Sequence, residues 1–248
     1  MATYKIHPIV MGTKVFDKGM MTYQHDYGTP YTIPIYCWYI EGGDKKILVD
    51  TGELRPIQSA DREANIGGKI YTFEEGLAKW GLTPADIDLV IHTHLHADHC
   101  ENDYKCENAV FHVHKEELAT IHNCHPLDYR YVEDYIYEIE QNKQIRIVSR
   151  DCEIVPGISV MHTPAHTPGG LTVLIDTEQG RAAITGFCVI RENFEPPTAI
   201  RAMEMEVIPP GTCLNTYEAY NILLRVKDLA DIVLPLHEPE FAAIDTID

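Results

Sequence analysis

The run Thr93-His94-Leu95-His96-Ala97-Asp98-His99 concentrates four ligand-type side chains within six residues, and nothing else in the sequence restricts the fold as strongly. Directly before it lies Leu89-Val-Ile-His92, a short apolar run of the buried-strand type. Residues two apart on an extended chain project to the same side, so His94 and His96 can share a target while Asp98 and His99 enter the next turn. Neutral imidazole suits Zn, Fe, Ni and related ions, and carboxylate suits the harder members. The mixture points to a borderline metal such as Zn²⁺. Such a site draws ligands from distant segments, and two more histidines are placed to supply them. His166 sits in the rigid turn Thr163-Pro-Ala-His-Thr-Pro-Gly-Gly170, and His237 directly follows the apolar run Ile232-Val-Leu-Pro-Leu236. A fold that uses all six residues must gather several strand ends at one point.

The chain length of 248 residues suits one domain spanning residues 1–248 and allows a substantial core. Hydrophobic residues at 45% and charged residues at 23% are ordinary for a soluble globular protein, and no stretch has the apolar length to cross a bilayer. The start, Met1-Ala-Thr-Tyr-Lys-Ile-His-Pro8, lacks the features of a secretory signal, so a cytoplasmic location is expected. A formal net charge of -18 repels phosphate backbones and argues against nucleic-acid partners. Seven cysteines, odd in number and without paired spacing, read as reduced thiols. The expected partner is a small-molecule substrate, and a homodimer is left open.

Along the chain, Ile33–Ile40 and Lys46–Asp50 read as two strands joined by a tight glycine turn. Ala109–His114 alternates like a strand, and Lys115–His122 reads as the start of a helix. Tyr129, Tyr131, Tyr135 and Tyr137 are spaced to share neighbouring faces of a helix within residues 125–144, chiefly as core packing. Glu153–His162, Leu171–Ile175 and Arg181–Thr185 supply further strands broken by proline and glycine, and a helix is expected near Thr216–Ala230. The layout predicts a layered α/β fold with its site at strand ends. His92, His112, His114, His122, His125 and His162 are read as structural or exposed, with His92 beneath the cluster on its strand.

The HxHxDH pattern of residues 94–99, the Thr-Pro-Ala-His-Thr-Pro-Gly turn and His237 after the last strand resemble the metallo-β-lactamase superfamily. Leu48-Val-Asp50-Thr-Gly52, Gly81-Leu-Thr-Pro-Ala-Asp-Ile-Asp88 and Arg191-Glu-Asn-Phe-Glu195 extend the resemblance to the N-acyl homoserine lactonase family, over roughly residues 30–240. That resemblance implies an αββα sandwich with two metal positions in its cleft. His94, His96 and His166 match one position, and Asp98, His99 and His237 match the other. Asp50 matches an acid that orients a ligand imidazole through its free N–H; its alternative reading is a strand-end turn former. The implied cofactor is one or two Zn²⁺ ions, with Fe or Mn as alternatives.

The family has a metal-bridging aspartate followed closely by a tyrosine. The corresponding stretch, Ile184-Thr-Gly-Phe-Cys-Val-Ile190, contains neither. Phe187 occupies the simplest aligned position and cannot bind metal; a shift of one residue brings Cys188, either a thiolate ligand or a buried apolar thiol. The implied chemistry is hydrolysis by a metal-bound hydroxide, made available near neutral pH because the metal lowers the pKa of water from about 15.7 towards about 7. Asp98 is the catalytic candidate, orienting the water or carrying its proton. A lactone or cyclic ester is the leading substrate class, and a cyclic amide, imide or thioester is the alternative. A catalytically silent or redox metal-binding protein is the reading of another class. It is opposed by the six retained ligand-type residues and by His96, where the redox branch carries glutamate.

Overall fold

The computed structural model describes residues 3–248 and has two mixed β-sheets packed face to face. The first contains β1 (Lys5–Asp17), β2 (Pro30–Glu41), β3 (Ile47–Val49), β4 (Leu89–Ile91), β5 (Val110–His114) and β6 (Ile145–Val148), paired in chain order. The second runs in the reverse order, from β11 (Ile232–Leu234) through β10 (Gly180–Ile184), β9 (Leu171–Thr177) and β8 (Ile158–His162) to β7 (Cys152–Val155). Pairing is antiparallel from β1 to β3 and parallel from β3 to β6. In the second sheet only β10 and β11 run parallel.

Side-chain alternation assigns each strand face to a layer. Ile47 and Val49 enter the core between the sheets with Trp38, Ile91, Val173 and Ile175, while Leu48 points to the outer layer with Phe73, Leu77, Val90 and Phe111. On the far side, Leu174 and Ala183 pack under the helix Thr216–Leu229 through Ala219, Leu223 and Val226. Apolar residues on both faces of β3 and β4 make those strands unbroken hydrophobic runs, as expected where helices cover a sheet. The result is the expected αββα sandwich.

Two expectations are corrected. The tyrosine-bearing segment does not form one helix. It breaks into a short turn at Glu133–Tyr135 and a five-residue helix at Tyr137–Gln141, preceded by irregular chain containing Pro126. Tyr131 is buried, but Tyr129 and Tyr137 are exposed, so the four rings do not share one core face. The longest strand, β1, lies where no strand was expected. Pro8, Gly12 and a bulge between Val10 and Gly12 interrupt its alternation, and its place at the sheet edge tolerates the proline.

Both sheets present their strand ends to one edge. The Asp50 N–H donates to Ile91 O at 3.1 Å, continuing the β3–β4 pairing one step past the strands. Across the sandwich, Leu171 N–H donates to Thr93 O at 2.8 Å, and within the second sheet His237 N–H donates to Val189 O at 3.1 Å, past the ends of β11 and β10. These bonds draw the segments after β3, β4, β8 and β11 together.

Candidate metal centre

At that edge, His94, His96, Asp98, His99, His166 and His237 line one cavity of about 40 Å³, together with Phe16, Ile33, Arg130 and Cys188. One nitrogen each from His94, His96 and His166 falls within 4.8 Å of the others, a spacing suited to a shared ion. His99 and His237 complete the other side, with ring centroids 5.5 Å apart, and Asp98 Oδ1 lies 3.9 Å from His99 Nε2. Asp98 and His99 belong to the helix Ala97–Cys100, whose tight turn places them beside the two histidines of the preceding extended chain.

Five imidazoles are oriented by a partner on one ring nitrogen. His99 Nδ1–H donates to Asp50 Oδ2 at 2.8 Å, His166 Nδ1–H to Thr212 O at 2.7 Å and His237 Nδ1–H to Pro34 O at 2.9 Å. His96 Nε2–H reaches Asp128 Oδ2 at 3.3 Å. Thr93 Oγ1–H donates to Asp50 at 2.6 Å, so its oxygen accepts from His94 Nδ1–H at 3.0 Å. Each acceptor sets the tautomer and leaves the other ring nitrogen unprotonated, as a metal ligand requires.

Electrostatics support this state. Burial, followed by repulsion from neighbouring imidazoles, pushes His94 well below its ordinary value. Burial and nearby cationic side chains likewise depress His166, and burial takes His237 to about 4. His99 moves the other way: Asp50 and Asp98 outweigh its burial and raise it. Burial opposes the Asp98 charge, but His99, Lys14 and His237 overcome it and hold the carboxyl far below the usual range. The donor set therefore fits a borderline divalent ion, offering imidazoles held neutral at His94, His166 and His237 and an ionised carboxylate at Asp98.

Asp50 is buried with φ 59°, a left-handed conformation that aspartate tolerates better than most residues. It accepts from Thr93 N–H at 2.8 Å as well as from His99, which supports the orienting role over that of a mere turn former. Although burial opposes ionisation, His99 and His92 hold its carboxyl at about 2. His92 lies behind the cluster, with Nε2 2.9 Å from Asp103 Oδ2, and does not line the cavity. Desolvation disfavours its charge, yet Asp103 and Asp50 raise it to about 10. None of His112, His114, His122, His125 and His162 lines the cavity.

Phe187 is fully buried in the outer core with Phe194, while Cys188 lines the cavity and packs with Met21, Ile33 and Ile190. The structure thus separates the two candidates for the position without a carboxylate. Sequence reasoning missed other residues at the site. Arg130 lines the cavity, Asp128 orients His96, and Lys14 lies 3.7 Å from Asp98. Lys14 belongs to the unforeseen β1, and the other two to irregular chain without a periodic signal.

A family profile described as the metallo-beta-lactamase superfamily matches residues 31–186. The chain belongs to that superfamily. This metallo-beta-lactamase-fold protein is a metal-dependent hydrolase. It is 27% identical over 225 residues to an N-acyl homoserine lactonase of Bacillus sp, covering 84% of this chain and 85% of the relative. An N-acyl homoserine lactonase of Agrobacterium fabrum is 25% identical over 186 residues, covering 66% of this chain and 67% of that one. A solved N-acyl homoserine lactone hydrolase, with the product N-hexanoyl-L-homoserine bound at its catalytic metal centre, superposes with a TM-score of 0.75 at 25% identity. That match covers 97% of this chain and 95% of the other.

Proposed function

We propose that this hydrolase opens a lactone or related cyclic ester, with Zn²⁺ held primarily by His94, His96 and His166. The convergence of those three oriented histidines carries the reading, and the similarity to N-acyl homoserine lactonases supports the substrate class. Asp98, His99 and His237 are the proposed ligands of a second ion. Its affinity is expected to be lower because Thr185–Ile190 adds no carboxylate. When bound, zinc supplies Lewis acidity towards a carbonyl and acidifies water.

The side chains supply positioning and proton handling. Asp98 is the proposed water-orienting group, its carboxylate accepting a water hydrogen and passing the proton towards the leaving oxygen. Its strongly favoured ionised form suits an acceptor and makes it a weak resting base. Phe16 and Ile33 give the cavity an apolar wall that excludes bulk solvent. Seven free cysteines support a reducing, cytoplasmic setting, and among the described residues no helix is long and apolar enough to cross a membrane.

Elemental analysis of purified protein, paired with activity on a lactone panel before and after chelation and metal return, tests the reading. Zinc at one equivalent or more and loss of turnover on its removal are expected. Full activity in metal-free protein rejects it. Including cyclic amides, imides and thioesters in the panel separates lactone opening from the alternative chemistry.

A further inference from the structure

Arg130 stands at the cavity with a guanidinium only partly committed to the protein. Its Nε–H donates to Asp128 Oδ1 at 2.6 Å, and the other oxygen of Asp128 contacts His96. The backbone is fixed as well, because Ala97 N–H donates to Arg130 O at 2.9 Å and Tyr131 forms a bridge with His96. Arg130 is thereby tied to the segment carrying the histidine cluster. Its Nη1 lies 3.4 Å from His166 Nε2, and its Nη2 has no protein partner among the described residues. The side chain retains 38% exposure.

The contact with His166 is informative because Nδ1 of that ring donates to Thr212 O, so the nitrogen facing Arg130 carries the lone pair. A metal ligated by His166 takes that lone pair and leaves Nη1–H without an acceptor. It also places a fixed positive charge beside a divalent cation, which is unfavourable unless an anion lies between them. Lys14 does not present the same opening, since its single ammonium faces Glu53 at 3.0 Å and Asp98 at 3.7 Å, whereas the Asp128 pairing of Arg130 occupies Nε and leaves the terminal nitrogens without a carboxylate. In a chain of net charge -18, a guanidinium with free terminal N–H groups at the reaction cavity offers anions a local contact within a field that otherwise repels them.

We infer that Arg130 binds a carboxylate carried by the substrate, making the preferred substrate an anionic lactone or cyclic ester with a free carboxylate near the scissile bond. With Nε held by Asp128, the paired terminal nitrogens remain available for a two-point contact, a geometry that guanidinium offers and ammonium does not. The substrate class rests on the lactone-opening reading proposed above; the carboxylate contact does not require turnover.

The test uses full-length, zinc-loaded protein and its Arg130→Gln and Arg130→Lys variants, matched for zinc content and circular dichroism. Two substrates are compared: 5-oxotetrahydrofuran-2-carboxylate and neutral γ-butyrolactone. Wild type should favour the carboxylate. Arg130→Gln should raise the KM for the carboxylate relative to that for the neutral lactone about tenfold or more, and Arg130→Lys should recover part of that ratio. Equal effects on both lactones, or a wild-type preference for the neutral one, overturn the proposal. Binding of tetrahydrofuran-2-carboxylate, which has no scissile ester, is measured calorimetrically in parallel. About tenfold weaker binding by Arg130→Gln supports the contact even if neither lactone is opened, an outcome that counts against the lactonase reading alone. Unchanged binding overturns it.

Discussion

His99 is held by Asp50, whose Oδ2 accepts the Nδ1–H at 2.8 Å while Oδ1 takes the Thr93 N–H at the same distance. One carboxylate therefore orients His99 directly and His94 through the Thr93 hydroxyl, so it reaches both sides of the cavity. Asp50→Asn keeps a residue suited to φ 59° but removes the charge, and should weaken zinc binding about 10–100-fold. Asp50→Ala should add backbone strain and lower stability further. Zinc competition with a chromophoric chelator measures the first effect; wild-type affinity in the asparagine variant would show that the charge is dispensable.

Glu117 joins three segments that frame the cavity. Its carboxylate accepts from Leu95 N–H at 3.0 Å, between the two histidines, from Gly169 N–H at 2.9 Å in the His166 turn, and from Tyr131 OH at 3.0 Å. Glu117→Ala leaves buried donors unpaired and should cost about 3 kcal/mol or more in unfolding free energy of metal-free protein. Zinc affinity should fall with it, since both ligand-bearing segments lose a common anchor. Denaturant unfolding and chelator competition read the two effects separately, and a variant as stable as wild type contradicts the assignment.

The contrast between the clustered ligands and these supporting groups shows what the sequence made legible. His94, His96, Asp98 and His99 are neighbours whose local spacing announces them, and His166 and His237 are marked by the strand-ending turns before them. Asp50 was accessible through the family pattern. Glu117, Asp128 and Arg130 act through contacts made only after the chain folds, across sequence separations that periodicity does not encode. The same applies to β1, where Pro8 and the bulge erase alternation although the strand pairs with β2 along nearly its whole length. The tyrosine segment misled because the chain at Tyr131–Val132 is held extended by Ala97 N–H donating to Arg130 O and by the bridge between Tyr131 and His96, and Tyr131 serves as a donor to Glu117 rather than as part of an aromatic face.

His122 predicts a pH-dependent element remote from the metal. Its Nδ1 and Nε2 lie 2.7 and 2.8 Å from carboxylates of Glu133 and Glu140, joining the end of the helix Lys115–Ile121 to the following segment. Burial opposes its charge, but the two carboxylates together outweigh it and raise the pKa above the ordinary value of 6.5. A raised folded-state pKa stabilises the fold fully below the unfolded value and loses its contribution as pH rises through the folded value. The stability difference between wild type and His122→Gln should thus be largest near pH 5.5 and shrink at alkaline pH. Paired urea titrations across that range decide it; a difference that grows with pH would falsify the sign. Solvent exposure of the pair keeps the effect small.

Cys188 tests how this chain fills the position without the family's bridging carboxylate. It lines the cavity, but its side chain packs with Met21, Ile33, Ile35 and Ile190, with Sγ 3.7 Å from the Met21 sulfur. Those neighbours favour a neutral thiol used as a small apolar group. Cys188→Ala should retain zinc affinity within about threefold, with a modest loss of stability from the small cavity left behind. Cobalt-substituted wild type should show no thiolate-to-metal charge-transfer band. Appearance of that band, together with its loss in Cys188→Ala, assigns the sulfur as a ligand and gives the second metal position a donor from the segment that lacks a carboxylate. Cys188→Asp should then be informative in either case: if the backbone accommodates a carboxylate there, the occupancy of the second ion should rise, measured as bound zinc per chain.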